Sequence, residues 1–155
     1  MTSRFPQMLV GAGSVSSVEQ AKRAIDAGAK FLVCAGFSRR IVEFAVLHQF
    51  PIFPGVCTPT ELLLLLEYDL PVAKFFPAAQ YGGLATIKAL SAPFPQLQFM
   101  PTGGISAENV REYLEFPKVI ACGGSWMVKS DLINAGEFDT IRRLTQEAVD
   151  MVVDL

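Results

Sequence analysis

The chain has 155 residues, 51% of them hydrophobic and 18% charged, which is one domain's worth of sequence with material for a large core. Its formal charge of -2 and the lack of any basic tract exclude a nucleic-acid partner. The longest apolar stretch near a helix, residues 62–66, falls far short of the ~20 residues needed to span a bilayer, so no membrane partner is expected.

Residues 1–7, MTSRFPQ, lack the apolar centre of a signal peptide. Cys34, Cys57 and Cys122 make an odd set without CxxC spacing, and the single histidine, His48, is not near them in sequence. They read as small buried residues in a reducing cytosol, not as a disulfide framework or a zinc site.

Strand-like runs are predicted at residues 8–13, 31–36, 51–55, 72–76, 97–104 and 119–124. They recur about every 22 residues, the length of a strand–helix unit with short loops. Most are continuously apolar, as parallel strands covered on both faces should be. Between them lie helix starts. Ser16 with Glu19, and Thr58 with Glu61, fit capping boxes, and Pro59 takes the first helical position of the second. Ser38 and Ser106 can cap two more. Gly28 reads as a helix C-cap. The last helix, 137–153, places Phe138, Ile141, Leu144, Ala148 and Met151 on one side. Six such units in series predict a single α/β domain with a parallel sheet. A doubly wound sheet fits, and so does an incomplete (β/α)8 barrel, which would need eight.

Two successive turns, PTGGIS at 101–106 and CGGSW at 122–126, carry paired glycines. Gly103, Gly104, Gly123 and Gly124 let backbone N–H groups approach an anion, and a following helix adds its positive end. Adjacent turns of this kind on the last two strands match the barrel phosphate site. Ser125 can add a hydroxyl. The alternative is that the glycines only permit tight turns.

Lys74 stands inside the apolar run VAKFF, 72–76. Alternation puts Val72, Lys74 and Phe76 on one face. An apolar surround disfavours the ammonium and lowers its pKa. A neutral amine attacks carbonyls and forms a Schiff base, which acts as an electron sink. The alternative is a lysine that snorkels to the rim or pairs with a carboxylate.

At KFFPA, GAGS, PGVCTPTE, PTGGIS and GGSW, in this order and spacing, the sequence resembles the KDPG/KHG aldolase family. The resemblance runs from about Val10 to the C-terminus. It implies a (β/α)8 barrel, usually a cytoplasmic homotrimer, acting in Entner–Doudoroff carbohydrate metabolism. The implied reaction cleaves a phosphorylated 2-keto-3-deoxy sugar acid to pyruvate and glyceraldehyde 3-phosphate, with no metal and no organic cofactor. By position, Lys74 resembles the Schiff-base lysine and Phe76 the aromatic residue beside it. Ser14 falls where the family has a threonine on the pyruvate carboxylate, and Thr102 falls on the pocket threonine. Gly103, Gly104, Gly123, Gly124 and Ser125 match the phosphate turns. Cys34 and Ala35 stand where the family reads Ser and Pro.

The family takes its proton-shuttling glutamate and a substrate arginine from its second strand. By this resemblance the chain begins just before the third, so both residues are expected to lie outside it. That reads as a fragment or a gene model begun at an internal methionine, ahead of closure through oligomerisation or a shortened barrel. Activity is then expected to fall by the 10²–10⁴-fold that acid–base groups contribute. Glu61 is the acid closest to an active-end loop, but the capping box claims it. His48 reads as a surface or helix-terminal residue, and Trp126 as packed under the last helix. Alternatives to this substrate are the phosphogalactonate epimer and 4-hydroxy-2-oxoglutarate. A non-catalytic sugar-phosphate binder is a third reading. A Rossmann dehydrogenase is disfavoured, since GAGSVSS has no GxGxxG.

Overall fold

The computed structural model describes residues 1–153. Strands and helices alternate along it, and the described strands that pair do so in parallel. The chain divides into two compact units, Met1–Phe76 and the part from Pro77 onward.

In the first unit, β1 (Leu32–Val33) pairs with β2 (Ile52–Phe53), and β3 (Gly55–Val56) pairs with β4 (Val72–Phe75). The predicted strand 51–55 is thus split at Pro54, whose missing N–H cannot serve a ladder. The predicted strand 8–13 is reduced to a bridge from Ala12 to Leu32. It still follows the ladder through Lys30 N–H to the Val10 carbonyl (2.7 Å) and Val33 N–H to the Ala12 carbonyl (2.8 Å). Glycine weakens a strand, yet Gly11 is required here, because the Phe31 ring fills the space a Cβ would need.

Three helices back these strands: α1 (Val18–Asp26), α2 (Arg39–Leu47) and α3 (Pro59–Glu67). α3 begins with the expected Thr58–Glu61 capping box and Pro59. α1 is capped one residue later than expected: Ser17 Oγ accepts from Gln20 N–H. Gln20 Oε1 in turn accepts from Ser16 N–H at 2.8 Å. Glutamine thus takes the return bond assigned to Glu19. All three helices end on a left-handed residue: Gly28 (φ 89°), Gln49 (φ 51°) and Asp69 (φ 54°). Each left-handed residue and the one after it donate their N–H groups back to the last turn, as in Gly28 to Ile25 (2.9 Å) and Ala29 to Ala24 (3.0 Å). The core gathers Val15, Ala21, Leu32, Cys34, Ile41, Val42, Ala45 and Ile52. Each large apolar side chain removed from water there contributes about 1.5–3 kcal/mol.

The second unit holds α4 (Gly83–Ser91), β5 (Gln98–Phe99), α5 (Val110–Leu114), α6 (Ser130–Asn134) and α7 (Phe138–Val153). The predicted strands 97–104 and 119–124 keep two parallel bridges, Phe99 to Val119 and Thr102 to Gly123. The N-cap position of α5 is Asn109, not Ser106, and the Asn109 side chain does not bond to the helix. Asn109 Oδ1 accepts from Ser106 N–H, and Ser106 Oγ accepts from Glu108 N–H. α7 matches its expected span. Ile141, Leu144, Ala148 and Met151 are half-buried on it, whereas Phe138 is 62% exposed.

Candidate active site

β4 presents Lys74. Its neighbours Ala73 and Phe75 are fully buried, and Lys74 itself is only 6% exposed. The strand pairing sets Lys74 opposite Gly55 and Phe75 opposite Val56. Lys74 Nζ donates to the Cys34 carbonyl at 2.9 Å. It lies 4.4 Å from the centre of the Phe76 ring, within cation–π range. The ion pairs among the described residues join other side chains on the surface, and none of them reaches Lys74. Burial therefore pulls the Lys74 pKa below the ordinary lysine value, with the adjacent Cys34 group acting the other way. The Cys34 thiol is pushed up by its own burial, against the pull of Lys74. The expectation of a sheltered amine on the Phe76 face is met; snorkelling and carboxylate pairing are not seen.

Ser14 belongs to the same unit. It is exposed, its φ is 57°, and it lines a cavity of about 430 Å³ with Gly13, Gln20 and Arg23. Lys74 is not among the walls of that cavity. A non-glycine residue in the left-handed region is uncommon. Glu61 Oε2 accepts from Cys57 N–H (2.8 Å), Thr58 N–H (3.0 Å) and Thr58 Oγ1 (2.8 Å). Burial would raise its pKa, but these bonds outweigh it and hold the carboxyl below its usual range. Glu61 is therefore an ionised cap, which suits structure better than proton shuttling. His48 is exposed at the end of α2, with Nδ1 2.7 Å from the Phe44 carbonyl oxygen.

In the second unit the two glycine turns lie side by side. Thr102 bridges to Gly123, and Gly123 N–H donates to the Pro101 carbonyl at 2.9 Å. Gly103 (φ 94°) and Gly104 (φ 77°) take backbone conformations that favour glycine. Gly123 and Gly124 are crowded instead: a Cβ on Gly123 would stand 2.7 Å from Thr102 Oγ1, and on Gly124 it would strike the Trp126 ring. Ala78 and Ala79 N–H groups donate to the Thr102 (2.9 Å) and Gly103 (3.1 Å) carbonyls, fixing the first turn. The helix expected directly after PTGGIS starts only at Val110 and spans five residues. Ser125 is exposed and precedes a 3-10 turn at Trp126–Val128. Trp126 is half-buried and shares an apolar cavity of about 450 Å³ with Val149 and Val152 of α7, as expected.

The family model for "Aldolase: KDPG and KHG aldolase" matches residues 1–144. The chain belongs to the KDPG/KHG aldolase family. It is 46% identical over 145 residues to the 2-dehydro-3-deoxy-phosphogluconate aldolase of Treponema pallidum, covering 94% of this chain and 69% of that one. To the KHG/KDPG aldolase of Escherichia coli K12 it is 41% identical over 150 residues, covering 97% and 70%. The KDPG aldolase of Legionella pneumophila, solved with pyruvate captured as a covalent carbinolamine, superposes with a TM-score of 0.88. The two are 38% identical, and the match covers 92% of this chain and 69% of that one. The fold is accordingly the barrel-like α/β fold of these aldolases.

Two parts of the site escape sequence reasoning. The Cys34 carbonyl is a backbone group 40 residues from Lys74, and no side-chain pattern marks it. Gly55 has a signal that could have found it: a glycine inside a strand often marks close backbone approach.

Proposed function

We propose that the chain is a class I aldolase acting on 2-keto-3-deoxy-6-phosphogluconate, with Lys74 as the Schiff-base residue. One observation carries this: a buried amine held by a carbonyl and not by a carboxylate. Such an amine keeps a population of the neutral form. Its lone pair adds to the C2 keto carbon to give a carbinolamine, and loss of water gives the imine. The protonated imine draws the electrons of the C3–C4 bond as the C4 hydroxyl proton passes to solvent water, releasing glyceraldehyde 3-phosphate. The pyruvate enamine that is left takes a proton at C3, and water hydrolyses the imine to return pyruvate and the amine.

Phe76 keeps the nitrogen dry. Ser14 donates its hydroxyl to the substrate carboxylate, and Thr102 contributes to the pocket. Gly103, Gly104, Gly123, Gly124 and Ser125 hold the phosphate through backbone N–H groups and a hydroxyl. No metal or organic cofactor takes part. Support comes from family membership, from the burial of Lys74 and from the adjacent glycine turns. The alternation of strands and helices supports a (β/α)8-type barrel domain to which this chain brings six strand–helix units. By the family resemblance alone, we also propose a cytoplasmic enzyme that works as a homo-oligomer, a trimer, which light scattering would test.

The deciding experiment is incubation with pyruvate and borohydride, followed by peptide mass spectrometry. A reduced adduct on Lys74, absent in Lys74→Ala, is expected. Equal labelling of the variant would discard the assignment. Sugar-phosphate affinity with no trapped imine would point to a non-catalytic binder. A solved relative, 36% identical and named as a 4-hydroxy-2-oxoglutarate aldolase as well as a phosphogluconate aldolase, supports a second substrate, 4-hydroxy-2-oxoglutarate. Parallel assays on it, on the gluconate and on the galactonate epimer rank the three.

A further inference from the structure

Gly55 is buried and paired with Lys74 across the β3–β4 ladder. Its φ is not in the left-handed region, so conformation does not demand glycine there. Space does. A Cβ on Gly55 would collide with the Ala35 carbonyl carbon and oxygen and stand 2.9 Å from the Gly36 nitrogen. All of these are backbone atoms, so no side-chain rotation relieves the clash.

The Ala35 peptide is therefore seated on the Gly55 Cα. One residue earlier, the Cys34 carbonyl accepts the hydrogen bond of Lys74 Nζ at 2.9 Å. Cys34 is tied on its other side by its N–H to the Phe53 carbonyl, at 3.1 Å. The segment 34–36 is thus pinned at Phe53 and packed at Gly55, and its carbonyl meets the amine as a result. We propose that Gly55 is a positioning residue: its missing side chain lets the 34–36 backbone close down and set the acceptor that orients Lys74 Nζ.

This inference rests on the Schiff-base reading of Lys74. A single amine–carbonyl bond leaves the lone pair of the neutral amine free to attack along a fixed direction. A methyl on Gly55 would push the peptide outward and let the nitrogen swing. Misplacement on the scale of 1 Å can slow a reaction by about 10²-fold.

The test compares the parent chain with Gly55→Ala, each assayed below its melting transition. Pyruvate-dependent borohydride trapping at Lys74 should fall roughly 10- to 100-fold in the variant. The pH midpoint of trapping should move down, because an acceptor bonded to the ammonium favours that form and its loss disfavours it. A merely structural glycine would lower the melting temperature and leave both readouts alone. A folded variant with unchanged rate and midpoint overturns the proposal.

If Gly55→Ala does not fold, a second variant decides. An ester in place of the amide joining Cys34 to Ala35 keeps the carbonyl but makes it a poorer acceptor. Slower trapping with a lowered midpoint supports the proposal, and an unchanged profile overturns it. Lys74 labelling by trinitrobenzenesulfonate, which needs no pyruvate, runs alongside. Should the parent trap no pyruvate, the Schiff-base reading fails by itself. The labelling midpoint then still reports whether Gly55 and the 34–35 carbonyl hold the amine.

Discussion

Lys74 and Glu61 are the two charged side chains in the first unit whose surroundings shift their pKa, both downward, so the charged form is disfavoured in Lys74 and favoured in Glu61. The folded pKa of Lys74 lies below its unfolded value of about 10.4. The unfolded chain therefore binds more protons in the window between the two, and stability rises with pH across that window. Lys74→Met should remove pyruvate trapping and flatten this alkaline rise, as followed by urea midpoints at several pH values. A variant that keeps the rise would show that another group titrates there. Glu61 is the depressed-carboxyl case. Its stabilisation is full above the unfolded value of about 4.3 and is lost as pH falls through the lower folded value. Glu61→Gln should flatten the acid limb. An acid limb equal to that of the parent would remove Glu61 as its source.

Caps decide how the helices are placed, and two of them leave room for improvement. Gln49 and Asp69 occupy left-handed positions that Gly28 fills without a side chain. Gln49→Gly and Asp69→Gly should each stabilise the chain by about 0.5 kcal/mol, the relief of left-handed strain net of the added freedom of the unfolded chain. A fall in urea midpoint would show that the polar side chains contribute more than the strain removes. Thr58→Ala should cost about 1–2 kcal/mol through loss of the α3 cap. A loss of a few tenths would mean that Glu61 holds the helix start without it.

These elements also show what the sequence makes legible. The Thr58 cap, Pro59, Gly28 and the span of α7 follow from local chemistry, and each stands where local chemistry puts it. Ser16 stands one position before the α1 cap in use, Ser17, because neighbouring serines offer the same hydroxyl. Ser106 and Asn109 bond to the turn before α5 and leave that helix without a side-chain cap. α4 has no polar cap at all: it starts from Gly82 with φ 87°, a signal shared with any turn. The exposure of Phe138 depends on what packs against α7, which periodicity along one helix does not contain. Lys74 was legible as a sheltered amine because its own neighbours in sequence bury it. Its acceptor was not, since a carbonyl on another strand carries no side-chain mark.

At the scale of the whole chain, the described residues contain no cluster of three or more His, Cys, Asp or Glu that could hold a metal ion. Imine chemistry does not need one, so dialysis against EDTA should leave the pyruvate adduct on Lys74 undiminished. A loss that zinc or magnesium restores would contradict the proposed mechanism. No described helix is long and apolar enough to cross a membrane. The Cys122 thiol, pushed up to about 11 by burial, should resist thiol reagents at neutral pH until the chain unfolds. The chain holds one tryptophan, and its indole rests on Gly124. Its fluorescence is thus a built-in optical probe of the CGGS bend, and titration with inorganic phosphate could be watched there, in the native polypeptide, without attaching a dye.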